Sequence, residues 1–164
     1  MMTQTPLRQR CQPGFTLIEL VTVMLLVGIL AFVVLPRLEL LRGFDEIGYR
    51  DKVKATLEYA RKSAVAQRRN VRVALAGNNL TLTIDNDVPD GGAAGTYPRS
   101  LSLPAKDNAC GGPTNQICAP ANVTLTGPAT LTFTPLGRPD AAKSFTVSGG
   151  AGTITVEAET GYVH

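Results

Sequence analysis

Apolar residues crowd one stretch of the chain and alternate with polar ones over most of the rest. From Phe15 to Leu35 run 21 residues with a single charge, Glu19. About 20 apolar residues suffice for a helix to cross roughly 30 Å of hydrocarbon, so this run predicts a membrane-length helix. Pro36 follows; it lacks an N–H and predicts a kink or loosening of the helix. Helical periodicity then resumes. Val53, Leu57, Ala60 and Ala64 recur every three or four residues, with Phe44 and Ile47 one or two turns earlier. That spacing predicts an amphipathic continuation whose apolar stripe packs on a sheet.

Near Asn70 the period shortens to two. Val71, Val73 and Leu75 alternate with Arg72 and Ala74, and Leu80, Leu82 and Ile84 with Thr81 and Thr83. Turn formers Ala76-Gly77-Asn78-Asn79 lie between, which predicts a hairpin. Residues 85–122 hold most of the remaining turn formers, among them Gly91-Gly92 and Gly111-Gly112-Pro113. They read as long loops with one short strand near Leu101–Leu103. Strand alternation returns in Val123–Leu125, Leu131–Phe133, Phe145–Val147 and Ile154–Val156, punctuated by Gly127-Pro128, Pro135-Leu136-Gly137 and Gly149-Gly150-Ala151-Gly152. The last of these lacks the Lys-Ser/Thr ending of a phosphate loop and lies between two strands, so it reads as a hairpin turn. The expected fold class is α+β: a long N-terminal hydrophobic helix, transmembrane and then amphipathic, packed on a C-terminal antiparallel β-sheet head. The expected divisions are 1–14, 15–36, 37–70 and 71–164.

Composition narrows the function classes. Hydrophobic residues make up 44% of the 164-residue chain and charged ones 18%, so enough apolar surface exists to offset chain entropy. The 16 Lys plus Arg against 13 Asp plus Glu leave a formal charge of only +3, too little to argue polyanion binding from the total. Charge is uneven, however: ten basic residues and five acids lie between Arg37 and Arg72, then four basic against seven acidic. A solvated helix face near anionic headgroups, or salt bridging between subunits, accounts for this; nucleic-acid contact through Arg61, Lys62, Arg68 and Arg69 is the sharper alternative. The one His is His164, so nucleophilic catalysis lacks an oriented imidazole base. Asp85/Asp87 and Glu157/Glu159 are carboxylate pairs that strand or loop alternation explains. No catalytic residue, no cofactor and no metal site is expected.

The front of the chain carries more. Met1 to Gly14 includes Arg8 and Arg10 and no acid, which by the positive-inside bias keeps this leader cytoplasmic and sends everything after Arg37 across. A secretory signal has a shorter apolar core and a small-x-small cleavage site, and Leu35-Pro36-Arg37 offers none. A plain anchor leaves Gly14 and Glu19 unexplained, although a carboxylate at a helix centre costs about 2.5–3.5 kcal/mol on insertion scales.

Gly14-Phe15-Thr16-Leu17-Ile18-Glu19 resembles the processing motif of type IV prepilins and type II secretion pseudopilins. The resemblance implies cleavage between Gly14 and Phe15 by a prepilin peptidase and N-methylation of Phe15. Removing 14 of 164 residues leaves 150. It also implies that the new Phe15 ammonium pairs with Glu19 of a neighbouring subunit, an unpaired buried charge being far costlier than a paired one, and that the helix loosens at Pro36 in the filament. Implied partners are other pilins or pseudopilins, the peptidase, an inner-membrane assembly platform and membrane lipid. The implied location is single-pass in the inner membrane with the head in the periplasm, then in the filament.

Cleavage would also settle the cysteine count. Cys11 leaves with the leader, and Cys110 and Cys118 remain, with seven residues between them. An exported head can keep a bridge there, worth roughly 2–3 kcal/mol; two free surface thiols are the alternative.

The tail is similar to GspH/FimT-type minor pilins and pseudopilins in Phe133-Thr134-Pro135-Leu136-Gly137-Arg138-Pro139, Phe145-Thr146-Val147, Ile154-Thr155-Val156 and Glu159-Thr160-Gly161-Tyr162-Val163. The two-cysteine loop also resembles the mannose-sensitive haemagglutinin pilus type. Some minor pilins of this kind bind DNA through a Gly-Arg-x-Arg loop. Here Gly137-Arg138-Pro139-Asp140 keeps one Arg and puts an acid at the second place, leaving Arg138 as the one DNA-contact candidate. The expected function is therefore a structural minor pilin or pseudopilin at or near a filament tip, with DNA capture for uptake as the alternative.

Overall fold

The computed structural model describes residues 14–86 and 96–164, with side chains left aside for 33–42. Gly91-Gly92 and Asp87 lie outside the described residues. The chain divides into an N-terminal unit ending at Leu40 and a head of Leu41–His164.

One helix, α1, covers Leu17–Gln67 and continues through Pro36. Thr16 caps its start: the hydroxyl accepts from the Glu19 N–H at 3.3 Å, and the carbonyl accepts from Leu20 N–H at 3.2 Å. Thr16 thus acts as an N-cap, occupying one of the donors that the first helical turn leaves unpaired. The other end closes as a Schellman motif. Arg68 turns left-handed at φ 52°, its N–H donates to Val65 carbonyl at 3.3 Å, and Arg69 N–H donates to Ala64 carbonyl at 3.1 Å.

Within the head, Val53, Leu57, Ala60 and Ala64 are fully buried, as their spacing predicts. Phe44 and Ile47 are not; they are 72% and 52% exposed. At about 100° per residue, Phe44 stands roughly 180° around the helix from Val53 and Ile47 roughly 120°. The stripe is instead extended by Tyr49, one turn before Val53, whose ring is buried and whose hydroxyl donates to Asn78 carbonyl at 2.7 Å.

Among the described residues eight strands follow: β1 Val71–Ala76, β2 Asn79–Ile84, β3 Arg99–Ser100, β4 Gln116–Cys118, β5 Leu125–Thr126, β6 Thr130–Phe133, β7 Lys143–Val147 and β8 Gly152–Val156. All described pairings are antiparallel, in two sheets. The larger runs β3-β2-β1-β6, and β4 shares the outer edge of β2 with β3. The smaller is β5-β7-β8. β1 and β2 form the expected hairpin, in register Ala76↔Asn79 through Val71↔Ile84, with Gly77 at φ 60° in its turn. The Gly149–Gly152 cluster turns β7 into β8, as its position between strands predicts.

The middle loops differ from expectation. The short strand is Arg99–Ser100 rather than Leu101–Leu103; Leu101 N–H still donates to the Leu82 carbonyl at 3.2 Å and its side chain is buried, but Leu103 N–H turns away to the Thr114 carbonyl at 2.8 Å. β4 was not expected at all: three residues among Gly and Pro give too short a pattern to read. One core joins the stripe of α1 to both sheets, through Leu80, Leu82, Leu131, Phe133, Phe145 and Ile154 among others.

Candidate assembly surface

The residues expected to be processed lie together at the start of α1. Gly14, Phe15 and Thr16 precede the helix; Phe15 is 84% exposed and Glu19 lies in the first turn. A Cβ built on Gly14 meets no described atom within 4 Å, and its φ is not left-handed. The fold itself therefore has no need of glycine at this position. Among the described residues, the Glu19 carboxylate has no ion-pair partner; only its backbone groups are engaged, with Thr16 and with the Thr22 hydroxyl at 2.9 Å.

Thirteen large apolar side chains from Phe15 to Phe32 are all exposed, the least so being Val21 at 47%. Covering them is worth roughly 20–40 kcal/mol at about 1.5–3 kcal/mol each. Such a surface does not stay in water; lipid or other helices must cover it. Among the described residues no helix is long and apolar enough to cross a membrane. The described side chains of the run end at Phe32, and helix from Leu17 to there spans about 24 Å, short of roughly 30 Å of hydrocarbon.

In the head, Cys110 and Cys118 form a disulfide, their Cα atoms 5.3 Å apart. Asp107, which sequence reasoning passed over, organises this loop. It caps a 3-10 turn, Asn108–Cys110. Its carboxylate accepts from Ala109 N–H at 3.1 Å, Cys118 N–H at 3.0 Å and Lys52 Nζ at 3.1 Å. The bonded residues include one cysteine and the neighbour of the other, and Lys52 ties the loop to α1. Burial alone would raise the Asp107 pKa; the bonds from Cys118, Ala109 and Lys52 outweigh it and hold the carboxyl below its ordinary 3.8. Burial, and then the negative charge of Asp107, push the Tyr49 phenol far above its usual range.

Because the folded pKa of Asp107 is depressed, its contribution is present above the unfolded value near 4 and is lost as pH falls through the folded pKa. Asp107→Asn is expected to cost about 2 kcal/mol at neutral pH, the range for hydrogen bonds to a charged group. Thermal melts from pH 7 to pH 2 should show the gap between variant and wild type closing below pH 4; a constant gap would contradict the charge-based account. Thiol labelling should find Cys110 and Cys118 unreactive in the exported head until a reductant is added.

Arg138 stands on the β6–β7 loop, half exposed, 3.4 Å from the Glu159 carboxylate. Its carbonyl holds the loop by accepting from Thr134 N–H at 2.8 Å. Asp85 of the former carboxylate pair is buried. It accepts from Asn70 N–H at 2.9 Å and Asn70 Nδ2 at 2.8 Å, and stands 3.6 Å from Arg69. It latches the end of α1 to the end of β2, and its role is structural. No group of three or more His, Cys, Asp or Glu able to hold a metal occurs among the described residues.

A capped apolar helix entered by a Gly-Phe processing motif, and an antiparallel head with a helix packed on it, define a subunit of the pilin class. Residues 9–35 match the prokaryotic N-terminal methylation motif, and residues 51–161 match the type II transport protein GspH family. The chain belongs to the GspH family, whose members are structural minor pilins and pseudopilins, components of pilus or pseudopilus filaments rather than enzymes. No curated protein matches the chain. Among solved structures it is similar to the type IV minor pilin FimU of Pseudomonas aeruginosa in two crystal forms, with 19% and 18% identity and a TM-score of 0.44 for each. The matches cover 70% of this chain and 82% and 86% of those chains.

Proposed function

We propose that this chain is a non-enzymatic minor subunit that enters the inner membrane through Phe15–Leu35 with its head in the periplasm. A prepilin peptidase cuts between Gly14 and Phe15 and methylates the Phe15 amine. The processed helix then leaves the lipid and stacks among those of other pilins or pseudopilins at an assembly platform. The destination is a type IV pilus or a type II secretion pseudopilus, at or near the tip. The observation that carries this reading is the exposed apolar start of α1, Phe15 to Phe32, directly behind an exposed Gly14-Phe15 bond. One surface serves two solvents, lipid first and a helical filament core afterwards, and Glu19 is the polar group that tells the two apart. Pro36 supplies the place where the helix gives way in the filament.

The Arg138 side chain already faces Glu159, and Asp140 is two residues on, so the loop presents little free positive charge to a phosphate backbone. Nothing in its geometry favours DNA capture. Mass spectrometry of the native protein, taken from membranes and from sheared filaments, tests the reading. A chain beginning at N-methylated Phe15 in both fractions is expected. A soluble chain that still begins at Met1 refutes it.

A further inference from the structure

A cleft of about 280 Å³ opens in the head between α1 and the loop that leads into the disulfide. Ile117 and Thr56, 3% and 5% exposed, line it together with Leu103 and the Tyr59 ring. Ala55 on the helix and Pro104 and Ala105 on the loop are exposed, so small side chains form its lips. The loop wall is firmly held. Leu103 N–H donates to the Thr114 carbonyl at 2.8 Å, and Asp107 joins Lys52 of α1 to the backbone of Ala109 and Cys118. The recess is therefore formed before anything enters it. A cavity of about 150 Å³ already admits benzene, so the volume here suits one aromatic or branched aliphatic side chain.

Its polar groups are almost all spent within the protein. The Tyr59 hydroxyl donates to the Ser102 carbonyl at 2.8 Å, and the Thr56 hydroxyl to the Lys52 carbonyl at 2.8 Å. The Lys52 ammonium is 3.1 Å from Asp107, whose carboxylate also accepts from two backbone N–H groups. That leaves Lys106. It lines the same cleft, and its ammonium has no hydrogen-bond or ion-pair partner among the described residues. Lys52 and Lys106 against Asp107 give the lining a formal charge of 2 − 1 = +1. The acids one turn from Ala55 on α1 are engaged elsewhere, Asp51 with Arg50 at 3.3 Å and Glu58 with Lys62 at 3.7 Å. A preformed apolar recess with one unspent cation is complementary to an apolar group that has a negative charge beside it.

We infer that this cleft seats one aromatic or branched aliphatic side chain of a subunit other than this chain, with a neighbouring carboxylate of that subunit on Lys106. The shape of the mouth favours a polypeptide over a free small molecule. Pockets for free ligands enclose most of the ligand surface, whereas the exposed lips Ala55, Pro104 and Ala105 leave room for a backbone to lie across this one. The buried side chain supplies the affinity. The exposed charge pair, which contributes little by itself, sets the orientation. The inference deepens the proposed assembly function and rests on it: α1 brings this chain among other subunits, and the cleft selects the neighbour of its head. Because that neighbour is a different chain, the contact is made once, as a minor subunit requires.

The test has two arms, both on the full chain. In lipid nanodiscs, methyl NMR signals of Leu103 and Ile117 are followed while N-acetyl-Phe-Asp-amide is added to millimolar concentration. Saturable shifts at both residues are expected. N-acetyl-Phe-Asn-amide should bind about threefold more weakly, and that difference should vanish in Lys106→Ala. Ala55→Trp puts a ring into the cleft from an exposed helix position and should abolish the shifts. Absence of any shift with the aspartyl peptide overturns the cleft as a site, and equal binding of the two peptides overturns the part given to Lys106. Binding of 3-phenylpropionate but of neither peptide overturns the choice of a polypeptide. In the native host, Ala55→Trp and Ala105→Trp should each enter filaments at least about tenfold less than wild type. Membrane amounts and the Cys110–Cys118 bridge should stay normal, and Ala55→Ser should assemble normally. Normal entry of both tryptophan variants overturns the partner. If the unsubstituted chain enters no filament at all, the assembly reading fails, and the peptide arm still decides the cleft.

Discussion

A Glu19→Ala chain reaches the membrane in normal amount and enters filaments at least about 100-fold less than wild type. In lipid the change is favourable, since it removes a carboxylate from an apolar helix. On the proposed pairing it leaves the Phe15 ammonium of a neighbour buried in the filament without a counter-charge. Breaking a buried pair from one side costs about 3–5 kcal/mol, and every 1.4 kcal/mol is tenfold. The head is untouched, and Thr16 caps the backbone N–H of residue 19, which alanine retains. Immunoblots of membranes beside counts of sheared filaments separate insertion from assembly. Glu19→Gln keeps the shape and loses the charge, so it should behave like the alanine variant. Normal filament numbers in either would dispose of the pairing argument.

Gly14→Val should stop processing. The chain then keeps its 14-residue leader, and the Phe15 amine that Glu19 needs never forms. The unusual strength of this test lies in the fold's indifference to the site. A Cβ at Gly14 meets no described atom within 4 Å, and the backbone there is not left-handed. A branched side chain can therefore hinder only an external enzyme that must bring its own backbone close. Intact mass should show the leader retained in at least nine of ten molecules, against almost none in wild type, with circular dichroism of the head unchanged. Efficient cleavage of the valine variant would place the cut elsewhere.

The parts of this molecule that could be read in advance are those whose physics is local. Val71-Arg72-Val73 and Leu80-Thr81-Leu82 alternate because a pleated strand shows successive side chains to opposite faces, and both segments are strands. Thr16 was legible too, as a helix N-cap ahead of the apolar run. Phe44 and Ile47 join the expected stripe only by being apolar and near it. Their angular phase on the helix already put them on other faces. Asp107 had no local signal. Its importance comes from Lys52, 55 residues away, and from Cys118 across a loop whose path no periodicity encodes.

The amino-acid order alone established the lone acid in an apolar run, the change from helix to strand near Asn70 and the cysteine pair of the head, and it is the source of the proposed cleavage after Gly14. Each depends on neighbours within a few turns of chain. Tertiary structure alone divided the strands into two sheets, seated β4 beside β3 on one edge of β2, and clamped the disulfide loop to α1 through Asp107. Those features come from residues far apart in sequence that become neighbours only when burial of one shared core fixes where every loop must pass.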